Sequence, residues 1–289
     1  MFKKKKDQTY QSYWSISWNI FKKNKVAMVC LFIVILLCLI ALFAPLIAPY
    51  DPNKQVLTDR LMKPCGQHWF GTDDLGRDIF SRIIYGCRVS LSVGIISQII
   101  ATVIGYTMGV CAGYYGGKVD SVISFLIQVF SSFPFLLFAM AIMFVLGPGL
   151  INLYLALGLL GWASTARLIR GDVMRLKKME YIDACKVSGG NSFRIIMKHL
   201  LPNCLSTLIV TVTLGIPNAI MSEASLSFLG LGVKAPMASW GSMISFSQPY
   251  IRSATYYSVI TGLAIIITVL AFNMLGDGLR DALDPKLRS

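Results

Sequence analysis

The sequence predicts an all-α membrane protein with six transmembrane helices, on three observations. Of its 289 residues 55% are hydrophobic and only 14% charged, its mean hydropathy is +0.64, and five stretches of 23 or more residues contain no Asp, Glu, Lys or Arg. A soluble domain carries about 25% charged residues, so a chain this apolar needs lipid around it.

The first stretch, residues 26–48, holds 23 uncharged residues. As a helix it measures about 35 Å, enough to cross a hydrocarbon core of roughly 30 Å with some tilt. It is too long for the apolar part of a cleaved leader and lacks a small-residue cleavage site, so a retained helix is expected. The longest stretch, 121–166, would make a helix about twice the thickness of a bilayer. A turn is therefore expected at Gly147-Pro148-Gly149. The six spans fall near 26–48, 89–112, 121–146, 149–166, 204–222 and 256–275. Pro134 in the third and Pro217 in the fifth each remove a backbone donor and should kink their helices, at a pathway or as a tolerated bend. Gly105, Gly109 and Gly113, four residues apart, predict close approach of a neighbouring helix. They say nothing specific of function.

Basic residues orient the spans, because Lys and Arg collect on the cytoplasmic side. With the N-terminus inside, the inner segments hold 19 Lys and Arg and the outer ones 8. Both ends are therefore expected in the cytoplasm. The net charge of +13 becomes a topology and lipid-headgroup signal rather than a nucleic-acid footprint. At the N-terminus, KKKK at 3–6, then Tyr10, Trp14, Trp18 and Phe21 at helical spacing and Lys22, Lys23 and Lys25, predict an interfacial segment on membrane lipid.

The organisation read from these patterns is a cytoplasmic segment 1–25, a first span 26–48, an extracytoplasmic loop 49–88, a five-helix core 89–276 with a cytoplasmic loop at about 167–203, and a cytoplasmic tail 277–289. In the outer loop Ile79, Ile83 and Ile84, with Arg77, Arg82 and Arg88 on other faces, suggest a short amphipathic helix leading into the second span. The loop is longer than a connector needs, and reads either as a ligand or partner surface or as a lid packed on the helix ends.

Several chemistries are excluded. No span contains a charged side chain, whereas ion-coupled carriers place one near the midplane. Glu223, at the outer end of the fifth span, is the nearest candidate for a gate or for holding helix ends, and helix-end packing is favoured. The one near-match to a phosphate loop, GYYGGKV at 113–119, has the wrong glycine spacing and Val119 in place of Ser or Thr. His68 and His199 are expected on opposite sides of the membrane. No catalytic constellation, metal site or bound cofactor is expected. Among seven cysteines no CxxC occurs; Cys65 and Cys87 share the outer loop, where pairing stays open.

The segment 167–203 stands apart, with eight Lys and Arg between apolar spans. GDVMRLKKMEYIDACKVSGG predicts one helix with Met174, Tyr181, Ala184, Cys185 and Val187 available for contacts. A break follows at Gly189 and Gly190, and a second helix is capped by Asn191 or Ser192, with Pro202 where the chain re-enters the membrane. Phe193, Ile196 and Met197 are left to bury against a partner, or the loop folds on its own bundle.

Asp183, Ala184, Cys185, Gly189, Leu201 and Pro202 resemble the EAA loop of ABC importer permeases, with Asp for Glu and Cys for the second Ala. FGTDDLGRDIFSRIIYG at 70–86, EASLSFLGLGV at 223–233, SWGSMI at 239–244 and GDGLRDALDPKLR at 276–288 are similar to the peptide and nickel branch of that family. The resemblance covers nearly the whole chain. It implies a type I importer permease fold whose EAA loop supplies a coupling helix. It also implies a second permease subunit, two cytoplasmic ATPases that use ATP and magnesium, and an extracytoplasmic substrate-binding protein, all in the cell membrane of a prokaryote. The implied function is half of a path for small peptides, with nickel or a metal chelate as the alternative cargo and a stand-alone carrier as a remote one. Asp183, Ala184 and Gly189 would form the joint with the ATPase, and Phe193 an apolar contact.

Overall fold

The structure is a computed structural model that describes residues 13–284. KKKK at 3–6, Tyr10 and the end of the GDGLRDALDPKLR motif lie outside the described residues. Among these no strand forms beyond an isolated bridge between Thr72 and Asp78.

Among the described residues twelve α-helices follow in chain order. They are α1 (Tyr13–Lys23), α2 (Lys25–Leu42) and α3 (Ala44–Ile47), then a loop to residue 78, then α4 (Ile79–Tyr115), α5 (Gly117–Ser132) and α6 (Phe135–Leu146). After them come α7 (Leu150–Leu176), α8 (Glu180–Val187), α9 (Ser192–Ile195), α10 (Leu201–Phe228), α11 (Trp240–Ser247) and α12 (Thr255–Leu283). One end of the bundle carries α1, α8 and α9 and is called the knob end here; the other carries residues 49–78 and α11 and is called the loop end. Large apolar side chains such as Phe32, Leu46, Phe144 and Val145 are exposed around the bundle, as a lipid-facing surface requires.

The axis of the fold is the α4–α7 pair. A Cβ on Gly105 would lie 2.8 Å from the Trp162 carbonyl oxygen, one on Gly109 2.7 Å from that of Ala166, and one on Gly113 2.9 Å from that of Arg170. The constant offset makes the two helices parallel. Contact of backbone on backbone replaces the hydrophobic drive that lipid cannot supply, as the four-residue glycine spacing predicts. Against this pair lie α10, through Ile216 and Ile220 on Gly94, and then α12 and α2.

Four expectations change. Residues 121–146 are not one helix, because α5 and α6 meet at 90°. Pro134 has no N–H to give and forces Phe133 into extended backbone. The short amphipathic helix before the second span is not separate, since α4 runs unbroken for 37 residues. Of its arginines only Arg88 is exposed, while Arg77 and Arg82 are buried. The expected single helix over 171–190 is two: α7 continues to Leu176, a turn at 177–179 intervenes, and α8 folds back so that Ile182 buries beside Val173 and Leu176. Burying an Ile contributes about 1.5–3 kcal/mol, more than one helical turn forgoes. Finally, four helices among the described residues are long and apolar enough to cross a membrane, or five with the bent α5–α6 pair, against the six spans expected. The remaining expected span is α7, whose mean hydropathy is lowered most by Asn152 and Arg167 and further by Gly158, Gly161, Ser164 and Thr165, where it meets α4 and a groove.

The turn at Gly147 and Gly149 forms as expected, both glycines at positive φ. Cys65 is exposed on its loop and Cys87 is buried in α4 with its thiol toward the Leu37 carbonyl at 3.5 Å; both are free.

Candidate functional site

The knob is built on a helix stop. Gly189 adopts φ +79, its N–H donates to the Lys186 carbonyl at 3.0 Å, and the Gly190 N–H donates to that of Cys185 at 2.9 Å. These two bonds close a Schellman motif, whose left-handed residue favours glycine. Asn191 then caps α9, accepting from the Arg194 N–H at 2.8 Å. A π turn at Ile196–Leu200 carries the helix into α10. It widens the ladder just before Pro202, whose ring would crowd a regular turn.

Inward, Ile182, Ile195, Leu200 and Cys204 pack with Val110 and Ile169 at the end of the α4–α7 pair. Outward, the knob exposes Val187 at 90% and Phe193 at 73% on either side of the glycine turn. Asp183 is exposed and paired with Lys186 at 2.7 Å, Ala184 is exposed, and Cys185 is half-buried under Gly190. Leu201 is half-buried, and Pro202 lines the foot of a groove. Of the side chains expected to seek a partner, Phe193 and Met197 are exposed and Ile196 is half-buried, while the neighbouring Ile195 supplies the anchor. His199 stays on the knob, its ring 6.0 Å from that of Tyr181.

At the loop end, Glu223 is fully buried. Its Oε1 accepts from the Ser227 and Ser239 hydroxyls, each at 2.7 Å, and its Oε2 faces the Ser90 hydroxyl at 3.5 Å. Ser239 caps α11 and Ser90 belongs to α4, so this one carboxylate joins three helices. Neither Glu223 nor Pro217 lines the groove.

The FGTDDLGRD stretch forms a second polar centre, which reading the sequence for faces missed. Asp73 Oδ2 accepts from Arg77 Nε at 2.6 Å and lies 3.3 Å from Arg82 Nε; all three side chains are buried. Arg82 also donates to the Pro52 carbonyl at 2.9 Å. Asp78 caps α4 through the Ser81 N–H at 2.8 Å and pairs with His68 Nδ1 at 2.9 Å. Burial, followed by the neighbouring charge of Asp73, pushes the Asp74 carboxyl above the usual carboxylate range, partly offset by Arg77. The one local signal for this centre was the four-residue spacing of Asp73 and Arg77, since Arg82 pairs with Asp73 and Asp78 with His68.

Between α10 on one side and α4, α6 and α7 on the other runs a groove of about 1360 Å³. Its charged residues, Arg175, Arg280 and Asp284, are all at the knob-end mouth, near Trp14. Further in, the walls are apolar or carry neutral hydroxyls and amides. No cluster of metal-ligating side chains occurs among the described residues.

Residues 102–289 match the family described as binding-protein-dependent transport system inner membrane component. Residues 12–64 match the N-terminal TM domain of oligopeptide transport permease C. The chain is 46% identical over 278 residues to a dipeptide transport system permease protein of Bacillus subtilis, covering 96% of this chain and 87% of that one. It is 42% identical to the oligopeptide transport system permease protein of the same organism, over 96% of this chain and 91% of the relative. To the glutathione transport system permease protein of Pectobacterium atrosepticum it is 41% identical, over 98% and 95%. Among solved structures, an inward-facing form of the MetNI methionine ABC transporter superposes at TM-score 0.56 and 20% identity, covering 70% of this chain and 96% of that one.

Fold and relatives together define a multi-pass permease of the ABC importer class, a membrane component and not an enzyme. The chain belongs to the binding-protein-dependent transport system inner membrane component family.

Proposed function

We propose that the chain is one of two permease halves of a peptide importer, and that its knob is the joint through which two ATPases drive it. The observation that carries this reading is the knob itself, rooted in the bundle by Ile182 and Ile195 yet exposing Val187 and Phe193 around a fixed glycine turn. Fully exposed apolar side chains on a rigid turn suit a pocket in another protein. Asp183, Ala184 and Cys185 form the helical side of the joint, Gly189 its corner and Phe193 its apolar contact. Leu201 and Pro202 shape the return to the membrane. ATP and magnesium belong to the partner subunits, and an extracytoplasmic binding protein delivers cargo at the loop end. The knob end, both chain ends included, faces the cytoplasm of a prokaryotic cell, with the membrane-crossing regions arranged as the basic residues suggest.

Small peptides as cargo follow from the relatives, whose names specify dipeptides, oligopeptides and glutathione. The neutral groove is consistent with them. Glu223, satisfied by three serine hydroxyls, serves to hold helix ends together. The test is uptake by the whole importer in proteoliposomes. ATP-dependent uptake of a labelled dipeptide is expected; uptake of nickel without peptide would overturn the cargo, and uptake by this chain alone would overturn the joint.

A further inference from the structure

The groove narrows where Gln98 of α4 meets Gly215 of α10, near the middle of both helices. Gly215 has no side chain, and the Gln98 carboxamide occupies the space a Cβ would fill. Gln98 is about nine-tenths buried, and its Nε2 donates to the Thr102 hydroxyl at 3.3 Å. Its carbonyl oxygen has no partner among the described residues. Two further groove-lining groups, the hydroxyls of Ser97 and Thr165, are buried and unpartnered. An unsatisfied buried polar group costs of the order of 1–3 kcal/mol, so these two hydroxyls, beside the unbonded Gln98 carbonyl oxygen, point to a ligand that completes them.

The opposite wall is rich in acceptors. Along α10 the Thr211, Ser222 and Ser225 hydroxyls donate to carbonyls four residues back, at 2.7–2.9 Å. Asn218 Nδ2 does the same at 3.1 Å. Each of the three hydroxyls spends its proton on its own helix and turns oxygen lone pairs outward, while the Asn218 amide keeps a second N–H beside its carbonyl oxygen. A wall rich in acceptors favours a donor. The α-ammonium of a peptide would also donate, but no carboxylate lines the groove beyond its mouth to neutralise it, so the neutral main-chain N–H is the donor this wall holds at least cost.

We infer that the waist at Gln98 binds the main-chain N–H of the passing peptide, the Gln98 carbonyl oxygen and the α10 lone pairs accepting it, with Ser97 and Thr165 beside its carbonyls. Seven residues of α4 separate Gln98 from Gly105, against which Thr165 packs, which is about 10 Å of helix. About three residues of extended chain span that distance, at about 3.3 Å each. A groove that reads main chain tolerates any side chain. This inference deepens the proposed function and rests on it.

The experiment uses the complete importer in proteoliposomes, with its binding protein saturated either by a labelled dipeptide or by the depsipeptide in which an ester replaces the amide. The two cargoes differ by one N–H. Wild type is expected to turn over the dipeptide about tenfold faster, the equivalent of one hydrogen bond. Gln98→Leu should bring the two rates within about twofold, and Gln98→Asn should restore part of the preference. Equal wild-type rates, or a preference that survives Gln98→Leu, overturn the waist while leaving peptide import intact. If Gln98→Leu does not assemble, the wild-type ratio decides alone. Absence of any peptide uptake by wild type removes the cargo reading and this inference with it.

Discussion

The two ends of the molecule solve opposite problems with similar residues. At the loop end, Asp73, Arg77, Arg82 and Asp78 are buried and paired with one another, with His68 or with nearby backbone, although Arg82 Nε and Nη2 keep no hydrogen-bond partner among the described residues, so that this end is largely closed by its own chain. At the knob end, the Asp183–Lys186 pair is exposed to solvent, and so are the apolar side chains Val187 and Phe193. Charge turned inward makes a rigid seal; apolar surface turned outward makes a contact for something else. Stability should therefore concentrate at one end and coupling at the other.

The largest effect expected is at the seal. Asp73→Ala leaves two buried guanidinium groups without their shared carboxylate, which costs about 3–5 kcal/mol. Thermal unfolding of the purified importer should shift down by roughly 10 °C, while uptake per folded complex stays near wild type. Should uptake fall and stability hold, the division between the ends is wrong. Next, Gly189→Pro forbids φ +79 and removes the N–H that Lys186 accepts, a local cost of about 3 kcal/mol. Membrane insertion should persist, whereas co-purification of the ATPases and uptake should be lost; normal uptake in this variant would refute the joint.

Phe193→Ala sharpens the contrast. A contact residue exposed at 73% should lower uptake about tenfold and move the unfolding temperature very little. Glu223→Gln is milder, since an amide oxygen can still accept from Ser227 and Ser239. Uptake within about twofold of wild type fits a helix-end role, and a collapse of transport would assign Glu223 to the path instead. The smallest effect is at Asp74. Because its carboxyl is raised in the fold, ionisation is less favourable there than in the unfolded chain. Its contribution is most favourable below the ordinary carboxylate value and is lost as pH rises through the raised one. Asp74→Asn should flatten that part of the stability profile, measured as the wild-type minus variant difference in unfolding temperature across acidic pH.

What was legible in the sequence was what depends on local pattern. Charge-free runs marked the apolar helices, Gly105, Gly109 and Gly113 marked the α4–α7 contact, and Gly189-Gly190-Asn191 marked a helix stop followed by a cap. Pro134 announced a kink, although not one of 90°. What escaped depends on partners distant in sequence. Arg82 looks like part of the polar face of a helix until Asp73 and the Pro52 carbonyl are brought to it. The fold-back of α8 is decided by Ile182 finding Val173 and Leu176, and no periodicity contains that information. The Gln98 waist escaped as well, because a lone Gln in an apolar run acquires meaning only opposite Gly215.

The 37-residue helix α4 has its first turn fastened by Asp78 at the loop end and its last turns clasped by α7 beside the knob. It is about 55 Å long. Treated as a lever with its fulcrum at the Gln98 level, a tilt of about 10° carries each tip some 5 Å in opposite directions for a rod of that length. One stiff member tilting in this way would carry its two ends in opposite directions, and displacement would be least at the Gln98 level.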